Sequence, residues 1–459
     1  MPVEHAAVGL GQIAARRGPN DEARDYYHGR HPIMFASPKF RRFYESVMRR
    51  YRLNLCRPVV RQAASRLDIT GWDDPKMAEW WNEYGKRIQN RHFREAIRQG
   101  DAFTLTWPRE TMTGDLLVNR LRADEATVVY SPEHADTPAY GVKMWQTDSE
   151  KVRVNVYWTD HVERFITRHK FDTGSLADID TSELEPYTED GADAELRYEG
   201  SIAAAGIRGI LPLQHWVWQP DETPFGTGIL TDGIPVQDAL NKHAIDILVS
   251  SEQYGLPLRA ILGFEVVEET HVGDDGQTYT TDNIPDYDPR IDYALTLPGE
   301  NSKLIQLPEA DLTKILEVKR AAVSDMTMAT SVPLSPVTED SGNVPTGVAM
   351  RYIERPLTSL VVDGQQDMSV SAYNLAATLG YDSRPEWADP VQLDVSEQWE
   401  LVQAKVDAGW PAREAYIEAG MDPDRVDAVL ADAQDRESTV GGALVRAERE
   451  GRDPAELLR

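Results

Sequence analysis

Apolar and aromatic positions along this chain change period three times, and each change marks a different kind of element. From Ser37, the positions Phe40, Tyr44, Val47, Met48, Tyr51 and Leu55 recur at three- and four-residue spacing with arginines between them, which predicts a helix. Ser37–Pro38 supplies a cap and first turn, and Pro58 predicts a kink or restart before Val59, Ala63 and Leu67 continue the stripe. Upstream, "YYHGRHP" reads as a turn broken by Gly29 and Pro32. The stretch "DDPKMAEWWNEYGKRIQNRHFREAIRQGD" predicts a second helical pair. Trp80, Tyr84, Ile88 and Phe93 mark its buried side and Gly100 its end.

Between Ala102 and Gln219 the period falls to two. "FTLTWP", "ATVVYS", "YGVKMWQ", "VRVNVYWT" and "HVERFITRHK" are short, β-branched and aromatic, separated by turn clusters. They predict an antiparallel sheet beside helices, an α+β class. The acidic, Ser- and Gly-containing stretch 172–198 reads as an exposed loop. Gly226, Gly228 and Gly233 lack the spacing and the Lys-Ser/Thr of a phosphate loop, so they read as glycines that take positive φ before a helix.

The helical period then returns. "IPVQDALNKHAIDILVSSEQY" carries the stripe Val236, Leu240, Ala244 and Leu248, and about twenty residues at about 1.5 Å each make a rod of roughly 30 Å. Gly255 and Pro257 stop it. A β-rich excursion with "GDDGQ" at a hairpin tip follows, then a second helix with Leu312, Ile315, Val318, Ala322 and Met326 on one side. After "SPVTEDSGNVPTG" a third helix begins near Thr346, with Pro356 inside it predicting a kink. "YDSRPEWADP" reads as a linker, residues 396–440 as short helices opened by Pro411 and Pro423, and 441–459 as a charged tail.

Composition adds one asymmetry. The 459 residues carry a net charge of −28, yet residues 1–66 hold thirteen Lys/Arg against five Asp/Glu, leaving −36 on the remainder. A surface of that sign does not grip phosphates, so a nucleic-acid partner would have to pass rather than be held. No run of 18 apolar residues is present, and the start lacks the order of a secretory signal, so the chain is expected in a cytoplasm with no membrane partner. Cys56, the single cysteine, excludes an intrachain disulfide and reads as a packing thiol. The ten histidines, His28 and His31 included, show no metal spacing. Without a nucleophile elbow or a Cys/His pair, no catalytic residue, metal or cofactor is expected.

Taken in order, "YYHGRHPIMFASPKFRRFYESVMRRYRLNLCRPVVRQAASRLDITGW", "WWNEYGKRIQNRHFREAIRQGDAFTLTWP", "PFGTGILTDGIPVQDALNKHAIDILVSSEQYGLPLRAILG" and "VPTGVAMRYIERPL" resemble the portal proteins of tailed double-stranded DNA bacteriophages, the siphovirus-type family, over most of residues 20–400. The resemblance implies an N-terminal arm (1–25), a wing (26–229), a stem helix (230–255), a clip (256–308), a second stem helix (309–331), a tunnel loop (332–346), a kinked helix with wing return (347–395), a helical crown (396–440) and a tail (441–459). It implies a homo-dodecameric ring at one capsid vertex through which double-stranded DNA passes during packaging and ejection. The implied partners are the terminase large subunit, major capsid and scaffold proteins, and a head–tail connector or adaptor; overproduced members of the family also close with thirteen subunits.

On that resemblance Thr338, Glu339, Asp340, Ser341, Gly342 and Asn343 would line the channel, and Pro333, Pro336 and Pro345 would stiffen the ends of their loop. Pro356 would let the next helix flex. Val236, Leu240, Ala244, Leu248, Leu312, Ile315 and Val318 would pack the stem. Arg41, Arg42, Arg49 and Arg50 would face capsid, scaffold or DNA on the outside. Twelve copies at −28 sum to −336, which repels phosphate even when screened over a Debye length of about 8 Å. The alternatives are another virion part, such as an adaptor or minor capsid protein, and an intracellular carboxylate hydrolase.

Overall fold

The computed structural model describes residues 3–32, 34, 53–108, 116–134, 136–171, 179–188, 195–197, 209–254, 259–264, 268–272, 276–282, 294–298, 303–306, 312–334, 347–391, 395–419, 421 and 425–431. Two compact units divide the chain, 1–390 and 391–459.

The larger unit opens with a helix the periodicity does not announce. Residues read as an arm form α1 (Val3–His28), which runs through Pro19 and ends at Gly29 with φ +71°. Ala6, Leu10 and Ile13 are buried against a sheet, and a Cβ at Gly9 would overlap the Val142 side chain, so the helix backbone itself lies on the sheet. After α2 (Cys56–Ser65) and β1 (Ile69–Trp72), Asp74 caps α3 (Pro75–Trp80) by accepting from the Lys76 N–H at 2.7 Å. The expected helix from Ser37 to Leu55 lies almost wholly outside the described residues.

Between α3 and α4 (Lys86–Gln99) the chain makes one π turn, Trp81–Gly85. Its extra residue rotates the buried face. Trp81 is therefore buried and Tyr84 is 51% exposed, which corrects the expected buried side, while Phe93 is buried as the period predicts. Gly85 leaves room for the Trp81 ring, which a Cβ there would overlap. Gly100, at φ +90°, ends α4 and donates to the Ala96 carbonyl at 2.6 Å.

β2 (Asp101–Pro108), β3 (Leu116–Leu121), β4 (Ala126–Tyr130), β5 (Pro138–Gln146), β6 (Val152–Tyr157), β7 (His161–Thr167), β8 (Leu184–Pro186), β9 (Glu195–Arg197) and β10 (Leu213–Val217) form two antiparallel sheets. One runs β4-β5-β6-β7-β8 with β9 also on β7, the other β10-β2-β3. The class is α+β, as the alternation predicts.

Next come α5 (Gly233–Tyr254), β11 (Arg259–Phe264), β12 (Glu268–Val272), β13 (Thr278–Asp282), β14 (Ala294–Pro298), β15 (Lys303–Gln306), α6 (Leu312–Thr330), α7 (Gly347–Thr378) and β16 (Pro385–Trp387), which pairs with β1. β12 and β13 are the expected hairpin, and β11 sits between β15, antiparallel, and β14, parallel. The central core joins α2, α3, α4 and the buried stripe Leu357, Val361, Met368, Ala372, Leu375 and Ala376 of α7 around Trp216 and Trp218.

In the smaller unit α8 (Val395–Asp407) packs on α9 (Ala412–Glu418), with Trp399 edge-on to Tyr416 and Arg413 paired to Asp427 through two bonds of 2.6 and 2.9 Å.

Candidate functional site

α5 and α6 flank the small β module and lie side by side in opposite directions. The start of one meets the end of the other, because a Cβ at Gly233 would stand 3.0 Å from Thr330 and 3.1 Å from Met326. At its end α6 is closed by the Thr330 hydroxyl, which donates to the Met326 carbonyl at 2.7 Å. Ser331 then takes φ +57°, a left-handed residue that turns the chain out of the helix. The segment so launched contains Thr338, Glu339, Asp340, Ser341, Gly342 and Asn343, which lie outside the described residues.

Of the expected stem-packing residues, Leu240 and Ala244 are buried and Val236 packs half-buried on the central core, whereas Val318 is 44% exposed. Leu248, Leu312 and Ile315 stand within α5 and α6, and their side chains are outside the description. Pro356 is exposed and α7 continues through it; two residues before it, Glu354 pairs at 2.9 Å with the buried Arg66 of the α2–β1 turn.

What fixes α5 to the rest is polar, and the apolar stripe gave no sign of it. Gln237, Asp238 and Asn241 are buried on the same broad side as Leu240. Gln237 accepts from the Leu55 N–H and donates to the Leu53 carbonyl, both at 2.8 Å. The Tyr26 hydroxyl donates to Asp238 at 2.7 Å, and Asn241 meets His31 Nε2 at 2.8 Å, with the Tyr26 and His31 rings stacked at 4.2 Å. Burial and the bond to Asp238 hold the Tyr26 phenol above its usual range; burial raises the Asp238 carboxyl as well. Burial pushes the neighbouring Cys56 thiol up to about 12, an inert packing thiol. A readable signal did exist: Gln237 and Asn241 stand one turn apart on a helix whose other inner positions are apolar.

A second buried cluster binds α1 to both sheets. His215 Nε2 donates to Asp101 at 2.7 Å while its Nδ1 accepts from the Tyr130 hydroxyl at 2.8 Å. Arg16 donates to the other Asp101 oxygen at 2.9 Å and to Thr127 at 2.7 Å, with its guanidinium 4.1 Å from the Phe225 ring centre. Burial alone would raise the Asp101 carboxyl, but the bond from His215 and the charge of Arg16 bring it below its ordinary value. Both ring nitrogens of His215 are hydrogen-bonded and the ring is buried, so it ties β10 to β2 and β4.

Gly226, Gly228 and Gly233 do not take positive φ, a correction to their reading as left-handed turn glycines; Gly233 opens α5, whereas Gly226 and Gly228 sit where two main chains meet. These two are glycine because a Cβ would collide with the main chain of Gly100 and Arg98; Gly226 N–H also donates to Asp101 at 2.9 Å. Among the described residues, no group of three His, Cys, Asp or Glu is placed to hold a metal ion, and no helix is long and apolar enough to cross a membrane.

The family model for phage portal proteins, SPP1 Gp6-like, matches residues 12–371. Solved structures add distant likenesses. A chain in "Neck of native GTA particle computed with C12 symmetry" aligns over 80% of this chain and 88% of its own at 14% identity and a TM-score of 0.41. One in "Virion of native gene transfer agent (GTA) particle" gives the same coverage and identity with a TM-score of 0.42. A third, in "Neck of empty GTA particle computed with C6 symmetry", covers 80% of this chain and 89% of its own at 14% identity and 0.42. Among curated proteins none matches the chain.

Proposed function

The chain belongs to the SPP1 Gp6-like phage portal protein family, a family of virion structural proteins, and on that premise we propose that it forms the ring through which double-stranded DNA enters and leaves a capsid. The carrying observation is the extent of the family match. It runs from α1 through both sheets, the α5–β module–α6 unit and the 335–346 segment into α7.

In this reading α1–β10 and α7 are the wing, α5 and α6 the stem, the β module the clip, and residues 396–440 the crown. Twelve subunits close by head-to-tail contacts. The polar 332–346 loops, bearing Glu339 and Asp340, form the narrowest collar. A net charge of −28 per subunit keeps the wall from holding a duplex by counterion release, so the genome slides. The terminase large subunit and later the head–tail connector dock at the clip, while capsid and scaffold proteins meet the outer wing.

The mass of the purified full-length assembly tests this. Twelve chains of 51.6 kDa come to about 620 kDa. A monomer or dimer under all assembly conditions would refute the ring, and with it the conduit.

A further inference from the structure

The described surface holds one feature that a conduit repelling phosphate does not require. α2 and α4 pack together, and between them opens a cleft of about 330 Å³. Its floor is Phe93 and Leu67, and its walls include Arg61, Asn90 and Arg94. Arg91 stands three residues before Arg94 and Arg87 four before Arg91, so the same edge of α4 continues outward as a rim of guanidinium groups.

These arginines have no acid to answer. No carboxylate of the described residues lies within ion-pair distance of Arg61, Arg87, Arg91 or Arg94, in a chain with 76 acidic side chains against 48 basic ones. Two acids of this region are engaged elsewhere: Asp68 accepts from Lys86 at 2.8 Å and from Gln89 at 2.6 Å, and Glu95 turns inward to Arg120 at 2.6 Å. Arg94 donates only to the carbonyl of Asn90, one turn back on its own helix. Arg61, Arg87 and Arg91 are exposed. Three of the charges lie along one edge of α4 and Arg61 stands on α2 across the cleft, and a Debye length of about 8 Å lets them act locally, whatever the sign of the whole chain.

We propose that this cleft and its rim bind the phosphodiester backbone of duplex DNA. The matching runs by donor and acceptor. Arg61, Asn90 and Arg94 offer donors to the cleft. A phosphodiester chain presents acceptors alone and so answers the two guanidinium groups while bringing no donor of its own that must be paired. Guanidinium forks fit phosphate oxygens two at a time, and the Phe93 floor suits a sugar. The rim sees the backbone and no base edge, so binding is independent of sequence.

The test uses the full-length assembly as purified, a fluorescent mixed-sequence duplex of about 20 base pairs, and anisotropy from 50 to 200 mM salt. Each phosphate contact contributes about 0.9 to the slope of log K against log salt. The triple variant R61Q/R91Q/R94Q is expected to lower that slope by about 2.7 and to weaken binding more than tenfold at low salt. Lysine at the same three positions, which keeps charge without the fork, is expected to retain the slope. The proposal is overturned if the wild-type assembly does not bind the duplex, or if the glutamine variant keeps the wild-type slope. It is equally overturned if the glutamine variant changes the mass of the assembly while leaving duplex affinity unchanged, because the arginines then face an acidic segment of a second copy. Assembly mass and duplex affinity are read separately, so failure of the ring and failure of this site are distinguishable.

Discussion

Gly364 lies in the middle of the 32-residue α7, where a glycine is ordinarily a defect. Replacing an interior helical glycine by alanine normally stabilises by about 1 kcal/mol. Here the sign reverses. A Cβ at Gly364 would overlap the six-membered ring of Trp218, which is completely buried. The main chain of Trp218 is fixed, its amide N–H donating to the Gly100 carbonyl at 2.8 Å and its carbonyl accepting from Thr227 at 3.0 Å, and the packed core around the ring leaves it little room to retreat. Overpacking of a filled core costs about 1–3 kcal/mol. Against the propensity gain, Gly364→Ala should therefore destabilise by up to about 2 kcal/mol. With an unfolding entropy near 2.1 cal/mol/K per residue, the larger unit should lose about 1–2 °C of thermal midpoint by calorimetry. The control is the same substitution in a Trp218→Leu background. There the added methyl enters vacated space and should raise the midpoint, giving a coupling of opposite sign in the double-mutant cycle. A Gly364→Ala protein that melts higher than wild type, or identical shifts in both backgrounds, would refute the claim that Trp218 dictates this glycine.

Three further outcomes follow from the same reasoning. Asp101→Ala strips Arg16 and His215 of their shared partner in the core and should cost about 3–5 kcal/mol, read as a loss of folded protein in denaturant titration. His92 is buried without a hydrogen bond on either ring nitrogen, and burial depresses it from 6.5 to about 3. The unfolded chain therefore takes up a proton that the fold refuses. The stability is complete above about pH 6.5 and is lost as pH falls towards 3, so His92→Leu should flatten the dependence of thermal midpoint on pH between 7 and 5, whereas parallel curves would exclude His92 as the cause. Replacing residues 335–346 by a short Gly-Ser turn should leave the ring assembled but impair packaging and retention of DNA, and particles that fill normally would remove the collar role.

Regular period made most elements legible: the five strands read between Ala102 and Lys170, the helices at 233–254, 312–330 and 347–378, and the β12–β13 hairpin all follow from spacing. The misses share a physical cause, namely that tertiary contact decides what local pattern leaves open. α1 contains Gly9, Gly11, Gly18 and Pro19, poor helix formers, yet Gly9 is what lets its backbone reach Val142. The π turn exchanges Trp81 for Tyr84 at the core, and a period count assumes no such insertion. The parallel partner of β11 is silent in sequence, since alternation says which face a side chain takes and nothing of its neighbour. At the site, the apolar stripe of α5 was legible and the one-turn spacing of Gln237 and Asn241 was there to be read, but the partners that bury them and Asp238 were not, because a buried polar residue declares its role only through its partner.

That partnership bears on assembly. Apolar contacts are non-directional and tolerate sliding, whereas the bonds between α5 and Tyr26, Leu53, Leu55 and His31 fix the angle and register of α5 against the residues around it. The proposed ring of twelve would need that angle repeated, for an error of about 2° per subunit accumulates to about 24° at closure. Replacing both members of one pair, Tyr26→Phe with Asp238→Leu, removes the hydroxyl–carboxylate bond while leaving no orphaned buried partner, so the stability of the subunit should change by no more than about 1 kcal/mol. The distribution of assembly masses should nevertheless broaden, with open or wrongly numbered rings beside the 620 kDa species expected for twelve copies of 51.6 kDa. Native mass spectrometry reads the distribution and calorimetry the stability. A single unbroadened mass at wild-type stability would mean that the polar anchorage is incidental to closure, and that apolar packing around Leu240 and Ala244 suffices to set the angle.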